Sequence, residues 1–320
     1  MSQGSEPAST PMLLCITPAP AIDRTAFVER IEVDVVLRPN EVQALPGGKG
    51  VNAARAAVRL GADVITTGIA GGHAGRWMIE ALDAEGLSPR FSTAAAESRT
   101  AYVTLDEVGT SVLVYERPAE ASMAEYETFL ALLTDELLPR CDRAIVAGSI
   151  PGGLGDDDFA RIVVASRRTQ RPLLVDVSGA GLRAALSAHP DVVKVGRVEV
   201  IEAGLASAEA EAAKAAITLV DAGARLAIVT DGADAVGAAD AETVWRATPP
   251  TIEAVNPVGS GDTFDAALSI ALARGADIPD ALLDGMAAGA ANAMTRTAGD
   301  LDADVARRLR DHATVSEARR

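Results

Sequence analysis

Short apolar runs punctuate this chain at strand lengths, with amphipathic stretches between them. Residues 12–17, 63–69, 143–148, 172–177, 191–195 and 225–230 are close to continuously apolar. That pattern predicts strands of a parallel sheet buried on both faces, because a sheet wetted on one side alternates apolar and polar positions. Residues 75–85, 120–138, 157–170 and 209–222 instead predict helices covering the sheet. Asp156-Asp157-Asp158 opens one of these helices, where acids complement the helix dipole. The expected fold class is α/β, with one domain over 12–315 and disordered tails over 1–11 and 316–320.

Two segments break the alternation. Residues 24–45 and 99–117 hold strand-like pieces with no helix between them. Val103, Leu105 and the run Ser111–Tyr115 flank Asp106-Glu107-Val108-Gly109, which predicts a hairpin. A small second sheet inserted in the domain follows, and an exposed face of it is the expected contact for a second copy of the chain in a homodimer.

Chemistry concentrates at helix starts. In Asn256-Pro257-Val258-Gly259-Ser260-Gly261-Asp262-Thr263-Phe264 a glycine-rich turn opens a helix marked by Phe264, Ala267, Leu268, Ala271 and Leu272, with Gly275 as its stop. Residues 251–255 predict a strand feeding the turn. First-turn amides lack intrahelical partners and lie at the positive end of the dipole, so Gly259, Ser260 and Gly261 can receive a phosphate. Asp262 either caps this helix or takes the proton from an attacking hydroxyl. Gly47-Gly48-Lys49-Gly50-Val51-Asn52 opens a second helix, with Val51, Ala54 and Val58 on one face and Gly61 closing it. It is not a Walker A loop, since Gln43 and Gly50 stand where that pattern needs a glycine and a Ser or Thr. Gly68-Ile69-Ala70-Gly71-Gly72-His73-Ala74-Gly75 misses the dinucleotide fingerprint at Ala70.

Taken in order, these pieces resemble the ribokinase or PfkB family of carbohydrate kinases over nearly the whole chain. Thr17-Pro18-Ala19-Pro20-Ala21-Ile22-Asp23 looks like the opening strand ending in the sugar-binding aspartate, and residues 47–52 look like the first signature. Ala147-Gly148-Ser149-Ile150-Pro151-Gly152 is similar to the central sugar-side loop, and residues 256–262 match the second signature. The wording of that signature and Glu97-Ser98-Arg99 look most like the 1-phosphofructokinase and tagatose-6-phosphate kinase branch.

The resemblance implies a ribokinase-like fold with a β-sheet lid and ATP-dependent transfer to a hydroxyl of a sugar phosphate, with Mg²⁺. It assigns Asp262 as general base and the amides of residues 259–261 as the anion cradle. Asp23, Gly48, Asn52 and Ser149 would contact the sugar, and Lys49 and Arg99 its phosphate. Lys194, Thr230, Gly232 and Asn292 would lie on the nucleotide side, the last offering a polar edge to adenine from the small-residue run 287–293. Glu199 would tend the metal. Two departures bear on the substrate: Ala101 replaces the branch's usual asparagine, and Gly196-Arg197-Val198-Glu199 keeps only the glutamate of Asn-x-x-Glu. A kinase of an unphosphorylated sugar or nucleoside is the alternative, and a non-catalytic sugar or nucleotide binder on the same fold is a third reading.

Composition limits the partners. With 320 residues and 48% hydrophobic content the chain can bury a large core. A net charge of −16 argues against nucleic acid or an anionic membrane. An anionic substrate therefore depends on local cations, which singles out Lys49 and Arg99. Cys15 and Cys141 fit no metal or disulfide framework and read as reduced core residues. His73, His189 and His312 show no triad or metal spacing. No stretch reaches transmembrane length and the first eleven residues lack signal-peptide features, so a cytoplasmic location is expected.

Overall fold

All six apolar runs become strands of one sheet, side by side and parallel. The computed structural model describes residues 10–320, so the expected tail over 1–11 lies almost wholly outside the described residues. In chain order the first strands are β1 (Met12–Ile16), β2 (Ala21–Val28), β3 (Glu41–Gly47), β4 (Asp63–Thr67), β5 (Ile69–Gly71), β6 (Ser92–Ala94), β7 (Arg99–Asp106) and β8 (Ser111–Tyr115). The remainder are β9 (Arg143–Ala147), β10 (Leu173–Asp176), β11 (Val192–Gly196), β12 (Leu226–Asp231), β13 (Ala235–Ala239), β14 (Thr243–Thr248) and β15 (Thr314–Arg319). The helices are α1 (Lys49–Arg59), α2 (Gly72–Ala84), α3 (Met123–Ala131), α4 (Asp156–Thr169), α5 (Gly179–Ser187), α6 (Arg197–Glu202), α7 (Ala212–Asp221), α8 (Ser260–Ala273), α9 (Ile278–Ala293) and α10 (Ala303–Arg310).

The main sheet has nine strands in the order β15-β14-β13-β12-β11-β10-β9-β1-β4. The pairs from β4 to β12 are parallel, and β13, β14 and β15 add an antiparallel edge. Successive residues of β1 serve opposite faces: Leu14 and Ile16 join the layer of α3 to α7, and Leu13 and Cys15 the layer of α1, α2 and α8 to α10. This two-sided burial explains the unbroken apolar runs. Both cysteines are buried and free, and burial pushes the Cys141 thiol up to about 11.

The interrupted segments form a separate four-stranded sheet, β3-β2-β7-β8, that includes the expected hairpin. The Asp106 carboxylate accepts from the amides of Val108 and Thr110 at 3.1 and 2.7 Å, which fixes the turn. β2 also pairs parallel to β7, setting Asp23 opposite Ala101.

Three expectations are corrected. Residues 251–255 form no strand; they follow Pro249-Pro250, and the amides of Val255 and Asn256 both donate to Ala293 O, at 2.7 and 3.0 Å. The stretch 316–320 is not a tail, because Thr314–Arg319 pairs antiparallel with β14 as the sheet's edge. Its exposed, charged positions hide a strand whose stability comes from ladder bonds to a neighbour. Finally, the helix expected over 120–138 is α for its first part and then widens over Leu132–Leu137 before a last turn at Leu138–Arg140.

Candidate active site

The turn before α8 is built by its first glycine. Gly259 has φ +85, and a Cβ there would lie 2.7 Å from Ala298 Cα, so a side chain is excluded by both conformation and space. Among the described residues no acceptor takes the amides of Gly261 or Asp262, whereas Ser260 N donates to Pro257 O at 3.2 Å. Two free amides at a helix start form a cradle for an anion.

Asp262 sits in that first turn, 6% exposed. Asn52 Nδ2 donates to Asp262 Oδ2 at 2.8 Å, so the two glycine-opened helices meet side chain to side chain. Burial, reinforced by the neighbouring Asp176 carboxylate, raises Asp262 to a pKa of about 6; Lys194, the Asn52 amide and Lys49 oppose the rise. A carboxyl group poised near neutrality is matched to the work of a general base.

Beneath the turn lies a charge network. Asp176 ends β10, where open α/β sheets gather ligands and chemistry. It accepts from Lys194 Nζ at 2.8 Å and Lys49 Nζ at 3.0 Å. Burial works against its carboxylate, but the two lysines outweigh that and hold its pKa well below the usual range. Lys194 Nζ also lies 3.3 Å from Asp265, whose oxygens find no hydrogen-bond partner among the described residues; burial drives that acid well above the usual carboxylate range. Asp176, Asp262 and Asp265 approach within 4.8 Å of one another, and the Lys194 ammonium supplies the positive charge among them.

On the sugar side expected from the sequence, Asp23 is the third residue of β2 and does not end β1, which stops at Ile16. Its carboxylate packs against Gly47, where a Cβ would fall 2.0 Å from Oδ2. Burial raises Asp23 to about 6, against Arg55, Arg99 and the Gly48 amide. Arg99 donates to Ala19 O at 3.2 Å and Glu116 O at 3.4 Å, and its buried Nε has no partner among the described residues. Lys49 is directed elsewhere: it reaches Glu199 Oε1 at 3.2 Å besides Asp176, and lines a cavity of about 270 Å³ with Ser149 and Glu199. The expected basic pair is thus split between two neighbourhoods.

The nucleotide-side residues fall into two groups. Register sets Thr230 beside Gly196 at the carboxyl ends of β12 and β11, and Gly232 turns the chain there with φ +57. Lys194 and Asn292 are instead interior. Lys194 is 3% exposed, and a Cβ on Gly261 would lie 3.0 Å from its Nζ, so it supports the cradle from below. Asn292 is fully buried and donates to Thr297 O and Asp300 O at 3.1 and 2.8 Å, which leaves no edge for adenine. Glu199 keeps partial exposure, with Oε2 accepting from Gly196 N at 2.8 Å.

Asp176, Asp265 and Arg55 were not singled out by sequence. For Asp176 a signal existed, an acid closing the apolar run Leu173-Leu174-Val175. Asp265 and Arg55 read as ordinary polar positions of helices.

Comparison with known proteins places this geometry. The model of the pfkB family carbohydrate kinases matches residues 11–303. The chain belongs to the PfkB family. Similar solved structures include a phosphofructokinase candidate from Staphylococcus aureus, at 26% identity and TM-score 0.81, covering 96% of this chain and 99% of that one. Phosphofructokinase-2 from Escherichia coli in complex with potassium follows at 23% identity and TM-score 0.85, covering 95% and 99%. A 1-phosphofructokinase candidate from Thermotoga maritima shows 24% identity and TM-score 0.84, covering 96% and 99%. The fold is ribokinase-like, and this PfkB protein is an ATP-dependent sugar kinase. Among the described residues of the kinase, no helix is long and apolar enough to cross a membrane.

Proposed function

We infer that this kinase phosphorylates a hydroxyl of a sugar phosphate, of the 1-phosphofructokinase or tagatose-6-phosphate kinase type, with Asp262 as general base. The observation that carries the reading is the placement of one carboxyl group, titrating near 6, beside two unpartnered amides at the start of α8. Asp262 takes the acceptor proton while the free amides of Gly261 and Asp262 receive the γ-phosphoryl oxygens of ATP; the Ser260 amide, expected in the cradle from the sequence, is instead held by Pro257 O. Asp23 and Asn52 orient the sugar, Ser149 lines its cleft, and Thr230 and Gly232 border the nucleotide.

Glu199 fits Mg²⁺, which binds through one or two carboxylates, phosphate oxygens and water. Each of its oxygens already accepts one bond, from Lys49 Nζ and from Gly196 N, and keeps a second lone pair at a partly exposed position. The bound ion would supply positive charge against the developing negative charge on the phosphates. Arg99, whose planar fork can donate two parallel hydrogen bonds and whose charge lies beside Asp23, is the residue assigned to a substrate phosphate.

The second reading, a kinase of an unphosphorylated sugar or nucleoside, is favoured by one feature: two carboxylates already hold Lys49. The exposed face of the small sheet, acting as lid, would pair two copies into a homodimer.

Asp262→Asn is expected to lower turnover by about three powers of ten with nucleotide affinity nearly unchanged, measured by coupled ADP release. A loss under about tenfold contradicts the base assignment. In the same assay, Arg99→Ala raises KM for a sugar phosphate at least about tenfold and leaves KM for a neutral sugar unmoved. Equal effects on both would favour the second reading.

A further inference from the structure

Arg55 is an arginine on the inward face of α1, its side chain 11% exposed. Its guanidinium meets four separate pieces of the molecule. Nε and Nη2 fork onto the Glu85 carboxylate at the end of α2, at 2.7 and 3.2 Å. Nη2 also donates to Pro46 O in strand β3 of the lid at 3.0 Å. Nη1 donates to Ala298 O, the residue packed against Gly259, and to Asn52 Oδ1, both at 3.3 Å.

The contact to Asn52 has a consequence for the base. An asparagine amide presents an acceptor at one end and donors at the other, and the two ends are nearly equal in shape. If Oδ1 faced Asp262, two acceptors would meet and the carboxylate would be repelled. A guanidinium can only donate. By occupying Oδ1 it leaves Nδ2 for Asp262 Oδ2, as the 2.8 Å bond records. The fork onto Glu85 restrains the guanidinium on its other side, so the orientation is set by packed, charge-assisted bonds.

We propose that Arg55 is a positioning residue for phosphoryl transfer: it holds the Asn52 amide with Nδ2 toward Asp262 and ties that orientation to the lid through Pro46. The inference rests on Asp262 being the base. The charged and titratable groups facing Asp262 are Lys194 from β11, Asp176 from β10, Asp265 from its own helix and Lys49 from α1. None of them contacts Arg55, so a change at Arg55 reaches Asp262 through Asn52.

The test uses the full-length enzyme with Arg55→Met and Glu85→Gln. For Arg55→Met the expected result is a loss in kcat of about ten- to a hundredfold with nucleotide KM changed less than about threefold. The acid limb of the kcat profile moves up by roughly half to one pH unit, because the carboxylate loses an aimed donor. Arg55 also holds Asp23 down, so the readout specific to Asp262 is its own titration. Carbon-13 titration of the Asp262 carboxyl shows the same upward shift without substrate. Glu85→Gln, a milder change suited to retaining the fold, shifts both in the same direction by less. A purely structural role lowers the active fraction and the melting temperature but leaves limb and titration in place. That result, in folded Arg55→Met or, if it does not fold, in Glu85→Gln, overturns the proposal. If Asp262→Asn keeps near-normal rate, the base assignment fails instead, and the carboxyl titration still decides on Arg55.

Discussion

Burial of Asp262 serves the chemistry at a cost to the stability of the protein. Asp262 rises from the ordinary 3.8 to about 6 on folding, chiefly by burial. Such a carboxyl contributes fully below its unfolded pKa, loses that contribution as pH rises to about 6, and above that costs a constant amount. A shift of this size corresponds to about 3 kcal/mol as an upper figure. Asp262→Asn removes the titration while its side-chain carbonyl can still accept from Asn52. The variant is therefore expected to be more stable than the wild type at pH 7, with the difference shrinking toward pH 4, as read by urea denaturation at both values. A difference independent of pH would show that Asp262 does not titrate as a buried acid. Asp262 and Asn52 were legible as residues because each stands at a fixed offset from a glycine-rich helix start. Asp265 and Arg55 were not, since their roles arise from which strands and helices meet them, and spacing within one helix carries no trace of that.

At the level of elements, the same physics explains what could be read. Six strands were legible because two-sided burial leaves unbroken apolar runs. β15 was not, since an edge strand such as Thr314–Arg319 carries exposed polar residues and is specified by its partner's ladder. Residues 251–255 carry the β-branched composition of a strand, yet the prolines before them and the two amides committed to Ala293 O hold them out of the sheet. The turn before α8 allows a direct test of its geometry. At Gly259 an alanine would need a left-handed φ and a displaced Ala298. Gly259→Ala is expected to cost about 1–3 kcal/mol in stability and to raise nucleotide KM several-fold, because the amides of 261 and 262 move with the turn. Unchanged melting temperature and unchanged KM would mean that the turn tolerates a side chain and is not a fixed cradle.

For the whole molecule the lid poses the remaining physical problem. Its outer strand β8 is exposed along its entire length, although Val112, Leu113, Val114 and Tyr115 are apolar or aromatic. Strand alternation divides them: Tyr115 and Leu113 share the face of Ala101 and Asp23, whereas Val112 and Val114 share the opposite face with Tyr102 and Val42, both also exposed. An apolar strand at an open sheet edge is an association surface unless charge or proline blocks it, and neither stands within β8; the Arg24 charge on this face of the sheet lies two strands in from the edge. The net charge of −16 opposes contact between copies, so the apolar burial must exceed that repulsion and should do so more readily at high salt. The double variant Val112→Glu, Val114→Glu is expected to convert a dimer into a monomer in sedimentation velocity, with the wild-type dimer strengthened by added salt. Asp23 and the residues in register with it, Ala101 and Tyr115, lie on the other face and are untouched by this change, so a monomer that keeps its sugar KM would assign the outer face to assembly alone, and a monomeric wild type at micromolar concentration would remove the homodimer from the picture.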